Sequence, residues 1–151
     1  MKIVLLFLFF FLMSGCGYQP IYLNKNIQNL EFSEIILDGN QDLNKIIIER
    51  LSVSKSNENE RNEKLYLKSL YKNETTSKNQ KGQSVSFKST IEVNLQIENI
   101  NSEIVSRRNF TKEFTYNSKN NQFRLAEYEA SIKNNLIDTI INEIIIYLNT
   151  I

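Results

Sequence analysis

The chain has a single cysteine, Cys16, and no histidine. These two facts remove most of the chemistry a chain of 151 residues could carry. A disulfide needs a second cysteine in the chain. A zinc site needs cysteines and histidines at ligand spacing. A thiol nucleophile needs a base beside it, which is most often histidine. What remains is Asp/Glu pairs and Ser-Lys pairs. The spacing Ser69 to Lys72 has the S-x-x-K form, which arises commonly by chance. No constellation stands out as catalytic or metal-binding, so no catalytic residue and no metal ligand is assigned. The chain is not read as an enzyme.

Cys16 follows a particular context. Lys2 provides a short positive start, and Ile3 to Met13 is an unbroken apolar run. Ser14 and Gly15 are small. A charged start, a short apolar core and small residues before a cleavage point make a secretory signal. A membrane-crossing helix needs roughly 20 apolar residues, and this run ends well short of that. Met13-Ser14-Gly15-Cys16 resembles a bacterial lipobox, with Met13 where Leu is usual. The expectation is cleavage before Cys16 and a mature terminus carrying a thioether-linked diacylglycerol and an N-acyl chain. One acyl chain holds a membrane only marginally, and several hold it stably. Apart from these covalent lipids no cofactor is expected. Gly17 rather than Asp follows the cysteine, which by the lipoprotein sorting rule favours the outer membrane. The division expected is 1–15 as lipoprotein signal peptide, 16–31 as lipidated tether and 32–151 as a single domain.

The remaining chain is long enough for one core. The formal net charge is +1, so no global field argues for nucleic acid or an acidic partner. The abundance of Asn, Ile and Lys is read as coding bias.

The elements that must position any site follow from periodicity. SEIILD, from Ser33 to Asp38, reads as a strand closed by the turn Asp38-Gly39-Asn40. Asp42 is expected to cap the helix LNKIIIERLSV, whose Leu43, Ile46, Ile47 and Leu51 fall at helical spacing. Lys55 to Glu63 has no apolar residue and reads as a loop. Three strands follow. From Ser84 to Glu98, Val85, Phe87, Ile91, Val93, Leu95 and Ile97 alternate with Ser86, Lys88, Thr90, Glu92, Asn94, Gln96 and Glu98. That alternation gives one apolar and one wet face. The strand before it carries Leu65, Leu67 and Tyr71 on one side, and a loop containing Gly82 joins the two as a long hairpin. In the strand after it, Ile104, Phe110, Phe114 and Tyr116 share a face with Ser106, Arg108 and Lys112. That mixture suits an edge or the border of a cavity. From about Arg124 to Leu148 a stripe of Leu125, Tyr128, Ile132, Leu136, Ile140 and Ile144 predicts a long amphipathic helix. The architecture expected is α+β, a two-layer sandwich in the order β-α-β-β-β-α. One mostly antiparallel four-stranded sheet has both helices on one face.

In this order the chain resembles the LPS-assembly lipoprotein family, LptE or RlpB. The resemblance rests on Cys16-Gly17-Tyr18-Gln19-Pro20-Ile21-Tyr22, on Leu43-Asn44-Lys45 with Arg50-Leu51, on Phe123 to Ala130, and on the Ile-rich end Ile144 to Leu148. The Gly-Gln pair that many members carry before the first helix is here Asn40-Gln41. The resemblance implies an outer-membrane lipoprotein whose domain faces the periplasm and sits inside an outer-membrane β-barrel, the LptD-like LPS-assembly protein. There it would act as plug and assembly factor and bind lipopolysaccharide. A polyanionic lipid calls for Lys or Arg near its phosphates. Lys68, Lys88 and Arg107 are the expected phosphate-contacting set. The other reading of these three is as solvated sheet charges among Glu92 and Glu98. Two other classes stay open: a lipid-anchored scaffold of another envelope complex, and an envelope hydrolase.

Overall fold

The structure is a computed structural model, and it describes residues 30–56, 63–119 and 121–151. Cys16, the signal segment and nearly all of the tether lie outside the described residues. The elements in chain order are β1 (Leu30–Phe32), β2 (Glu34–Gly39), α1 (Gln41–Arg50), β3 (Val53–Lys55), β4 (Lys64–Lys78), β5 (Ser84–Glu98), β6 (Ile104–Asn117) and α2 (Gln122–Leu148).

Four strands form one sheet in the order β2-β4-β5-β6. β4, β5 and β6 make an antiparallel meander, and β2 lies parallel to β4. A parallel pair needs a crossover between its strands, and α1 supplies it. The expected α+β architecture, with a mostly antiparallel sheet under two helices, is the one observed. The sequence did not foretell the short parallel pair of β1 with β3. It starts at Leu30, inside the stretch read as tether, and it buries Phe32 and Val53.

The junction of β2 and α1 shows why the chain turns there. Gly39 has φ +82, and a Cβ on it would stand 2.1 Å from the carbonyl oxygen of Ser69. Only glycine fits that backbone position and that approach. The next residue, Asn40, is extended, and its side chain accepts from the backbone N–H of Leu43 at 3.0 Å. Asn40 is therefore the cap, a correction to the expectation for Asp42. Asp42 sits in the first turn, where a carboxylate faces the positive end of the helix dipole. The Asn40 N–H donates to the Ser69 carbonyl at 2.9 Å, and the Ser69 hydroxyl donates back to the Asn40 carbonyl at 3.1 Å. α1 stops at Arg50, because Leu51 turns into the core and Ser52 takes φ 51.

One face of the sheet is dry. Leu65, Leu67, Ile91, Val93, Leu95, Ile97 and Phe110 meet Leu43 and Ile47 of α1 and Ile137, Ile140 and Ile144 of α2 in a single core. Burying each such side chain is worth roughly 1.5–3 kcal/mol. α2 is thus a sheet-docked helix, and among the described residues no helix is long and apolar enough to cross a membrane. At one point the pattern of β6 breaks. A bulge places Ile104 opposite Glu98, away from the face of Phe110, and leaves it exposed.

Both central strands run for 15 residues, which spans about 50 Å at strand rise. The chain arrives from β1 at the end marked by Glu34, Lys64 and Glu98. The opposite end carries the β4–β5 turn and the start of α2. β2 pairs only with Lys64 to Ser69, so the far half of β4 projects beyond it. Every residue there from Lys72 to Lys78 is exposed.

Candidate functional site

The second face of the sheet has no element over it among the described residues. Its side chains lie in cross-strand rows set by the register. Asp38 and Lys68 are neighbours, with Asn94 and Asn109 beyond them. Ile36, Tyr66, Gln96 and Arg107 form the row beside that one. Glu74, Lys88 and Thr115 form another, farther along.

Lys68, Lys88 and Arg107 therefore share this open face but do not converge. Arg107 and Lys68 are two strands apart, about 10 Å at strand spacing. Lys88 lies eight residues along β5 from Gln96, the partner of Arg107, about 27 Å away. Two of the three cations are already paired. Lys68 Nζ is 2.6 Å from Asp38 Oδ2, and Lys88 Nζ is 3.5 Å from Glu113 Oε2. The Lys68 ammonium holds the Asp38 carboxyl below its ordinary value, helped by the backbone N–H of Gly39. Lys64 does the same for Glu34. Arg107 is exposed and has no ion pair among the described residues. Its neighbour Arg108 faces the helices and lies over the rings of Phe110 and Tyr147, at 5.5 and 5.0 Å. The opposite pointing of the two arginines follows from strand alternation.

Ser69 and Lys72 also fall on opposite faces. Ser69 is buried and bonds Asn40, whereas Lys72 lies on the open face near Glu92 at 3.9 Å. The S-x-x-K spacing therefore places no nucleophile beside a base. Among the described residues no group of three acidic or Cys side chains could hold a metal.

A stronger concentration of free charge sits at the far end of the sheet. Two segments meet there. The hairpin turn is closed by Asn79, whose backbone bonds Gln83 and Gly82 at 2.9 Å each. The β6–α2 connection joins it through Ser118 N–H to the Val85 carbonyl at 2.9 Å. The first segment brings Lys78 and Lys81, the second Lys119 and Arg124. Residues 75–91 and 114–126 contain no Asp or Glu. None of these four cations has an ion pair among the described residues. Lys119 Nζ lies 4.7 Å over the Tyr128 ring. Phe123, next to Arg124 in the first turn of α2, is 76% exposed. Cations without carboxylate partners can bind phosphates, and an exposed aromatic ring at the same end can insert among lipid chains. The sequence reading missed this site, because Lys78 and Arg124 are far apart along the chain and only the register joins them.

Beneath the site a polar network stiffens the far half. The Tyr116 hydroxyl reaches Glu129 Oε1 at 2.8 Å and Asn73 Oδ1 at 3.0 Å. Tyr71 and Ser89 share a bond of 3.3 Å. Burial pushes the Tyr116 phenol above its ordinary value. The Lys133 ammonium lies 4.9 Å over the Tyr71 ring.

Comparison with protein-family models and with curated proteins finds no match. Solved structures do match in fold. The rare lipoprotein B from Shewanella oneidensis superposes with a TM-score of 0.53 at 16% identity, over 78% of this chain and 93% of that one. A minor lipoprotein from Acinetobacter baumannii gives 0.51 at 16%, over 79% and 94%. Lipoprotein B from Nitrosomonas europaea gives 0.52 at 12%, over 84% and 88%. At such identities the likeness is one of fold, a two-layer domain found in bacterial lipoproteins.

Proposed function

We propose that this chain is a lipid-anchored outer-membrane lipoprotein of the LptE type, which helps assemble and plugs a β-barrel lipopolysaccharide translocon and binds lipopolysaccharide during its delivery. The acyl chains would sit on Cys16, and the domain would face the periplasm and the lumen of the barrel. The observation that carries the reading is the polarity of the domain. The described chain enters, through β1, at one end of a sheet about 50 Å long, and Lys78, Lys81, Lys119 and Arg124, without ion pairs among the described residues, gather at the other. The fold likeness to lipoproteins supports the same reading.

Within this proposal the basic end makes the first contacts with phosphate. Arg107 offers a separate exposed cation on the open face, toward the end where the chain enters. Lys68 and Lys88 join it when a polyanion displaces Asp38 and Glu113.

The experiment is a pull-down of the lipidated protein, tagged at its C-terminus, from gently solubilised outer membrane. A stoichiometric large β-barrel with lipopolysaccharide supports the proposal. A different envelope complex in its place would turn the reading to a scaffold role.

A further inference from the structure

We propose that the end of the sheet where the described chain enters is the domain's contact with the bilayer, with Ile100, Ile104 and Val105 dipping into the boundary between lipid headgroups and acyl chains. The inference rests on the lipidation of Cys16 proposed above, and it does not rest on lipopolysaccharide binding.

The two turns of the meander are built alike, at opposite ends of β5. In the β4–β5 turn the Asn79 N–H donates to the Gln83 carbonyl at 2.9 Å. The Asn79 side-chain oxygen accepts from the N–H groups of Lys81 and Gln83 at 2.9 and 3.0 Å. In the β5–β6 turn Asn99 repeats the pattern. Its N–H donates to the Glu103 carbonyl at 3.0 Å, and its side-chain oxygen accepts from Asn101 and Glu103 at 2.9 Å each. The fourth residue of each turn has positive φ, 76 at Gly82 and 61 at Ser102. The residue after the asparagine is Gln80 in one turn and Ile100 in the other. Ile100 is 63% exposed. The same backbone carries a polar residue in the twin, so the turn geometry does not account for the isoleucine.

The β6 bulge adds to this surface. It sets Ile104 opposite Glu98 and leaves Val105 without a partner on β5. Both side chains are more than half exposed. Three aliphatic residues within six positions therefore stand in water at one end of the sheet. Exposed apolar groups gathered in this way mark a contact surface.

The place of the anchor selects the occupant. Cys16 precedes Leu30 by fourteen residues, and fourteen residues reach at most about 50 Å. Leu30 opens β1 at this same end of the sheet. Acyl chains on Cys16 would hold this end within about 50 Å of the bilayer, and the basic end only within about twice that. Attachment at this range raises the local concentration of lipid, so a small apolar patch has only to orient a domain that the acyl chains already hold. Charge at this end is mixed. Glu98 and Glu103 stand beside the patch, Arg107 follows it on β6, and Glu34 is paired with Lys64 at 2.9 Å. The contact is therefore apolar and does not call for anionic lipid.

The chain has no tryptophan, so Ile100→Trp and Gln80→Trp are single fluorescent reporters in equivalent positions of the two turns. Phe123 is exposed at the basic end, which makes the comparison of ends necessary. The full-length lipidated protein is placed in phosphatidylcholine nanodiscs, with and without bromine on the acyl chains. Mass spectrometry first establishes the state of Cys16. A chain without acyl groups would end the lipoprotein reading and this inference together, whereas an acylated chain that fails the following tests ends this inference alone. Emission of the Ile100→Trp reporter should shift to the blue and be lost to brominated lipid, while that of Gln80→Trp is kept. Adding phosphatidylglycerol should leave the first reporter unchanged. Ile104→Asp with Val105→Asp should restore its emission, and thermal melting should hold because both residues are exposed. Equal quenching of the two reporters, or none at position 100, would overturn the proposal. A blue shift that grows with the protein-to-disc ratio without quenching would assign the patch to a second copy and overturn it. A shift in outer-membrane fragments without quenching in brominated discs would assign it to a partner protein, with the same consequence.

Discussion

The α-carbon of Gly39 packs against the main chain of Ser69 so closely that a Cβ would fall 2.1 Å from the Ser69 carbonyl oxygen. This contact fastens β2 to β4 at the point where the chain leaves the sheet for α1. The obstacle is backbone, which cannot swing aside, and φ is positive. Gly39→Ala should lower stability by about 3 kcal/mol or more. A urea titration followed by circular dichroism would measure it. A loss under about 1 kcal/mol would mean the junction is looser than described.

The core makes a second prediction. Ile140 and Ile144 are buried beneath α2. Ile140→Ala should cost about 2–5 kcal/mol, the usual loss for a buried aliphatic truncated to Ala. Ile146→Ala, at a residue 46% exposed on the same helix, should cost well under half as much. Equal losses in thermal melts would show that α2 is docked by another face.

The Asp38–Lys68 pair sets a pH dependence. Lys68 depresses the Asp38 pKa. A depressed carboxylate contributes stability that is present above its unfolded value, about 4, and is lost as pH falls through the folded value. Both side chains are well exposed, so the contribution is small. The clean readout is the carboxyl titration of Asp38 by NMR. Lys68→Gln should move its midpoint up toward the ordinary value. An unmoved midpoint would assign the shift to the Gly39 N–H alone.

Tyr116 gives the opposite sign. Its raised pKa means that stability is full below about pH 10 and falls as pH climbs toward the folded value. Tyr116→Phe should remove that alkaline sensitivity. It should also cost about 1–2 kcal/mol by ending the bonds to Glu129 and Asn73. Absorbance of the phenolate during an alkaline titration would check the first, chemical denaturation the second.

At the basic end, changing Lys78, Lys81, Lys119 and Arg124 together to Glu should reduce lipopolysaccharide binding by more than about tenfold. These side chains are exposed and have no ion pairs among the described residues, so thermal stability should hold. Reversal of Lys68, Lys88 and Arg107 should have the smaller effect, because two of them begin paired. The reverse ranking in a surface-plasmon measurement would return the phosphate surface to the open face.

What the chain settles locally, the sequence settles alone. The alternation from Val85 to Ile97 makes β5 a strand with one dry face wherever it pairs. The four-residue steps from Tyr128 to Ile144 make α2 a helix with one buried side. The lack of histidine and of a second cysteine removes whole classes of chemistry in any fold. These are properties of neighbours along the chain, and period and composition express them fully.

The tertiary structure decided what depends on pairs distant in sequence. It laid β2 parallel to β4 and joined β1 to β3, a pairing that three-residue strands are too short to announce. It gave the α1 cap to Asn40 rather than Asp42, because the turn at Gly39 is fixed by Ser69 on another strand. It spread Lys68, Lys88 and Arg107 along the open face and paired two of them. It also brought Lys78 and Lys81 to the same end as Lys119 and Arg124. Register is set by the joint burial of facing side chains across strands, and no single segment carries that information.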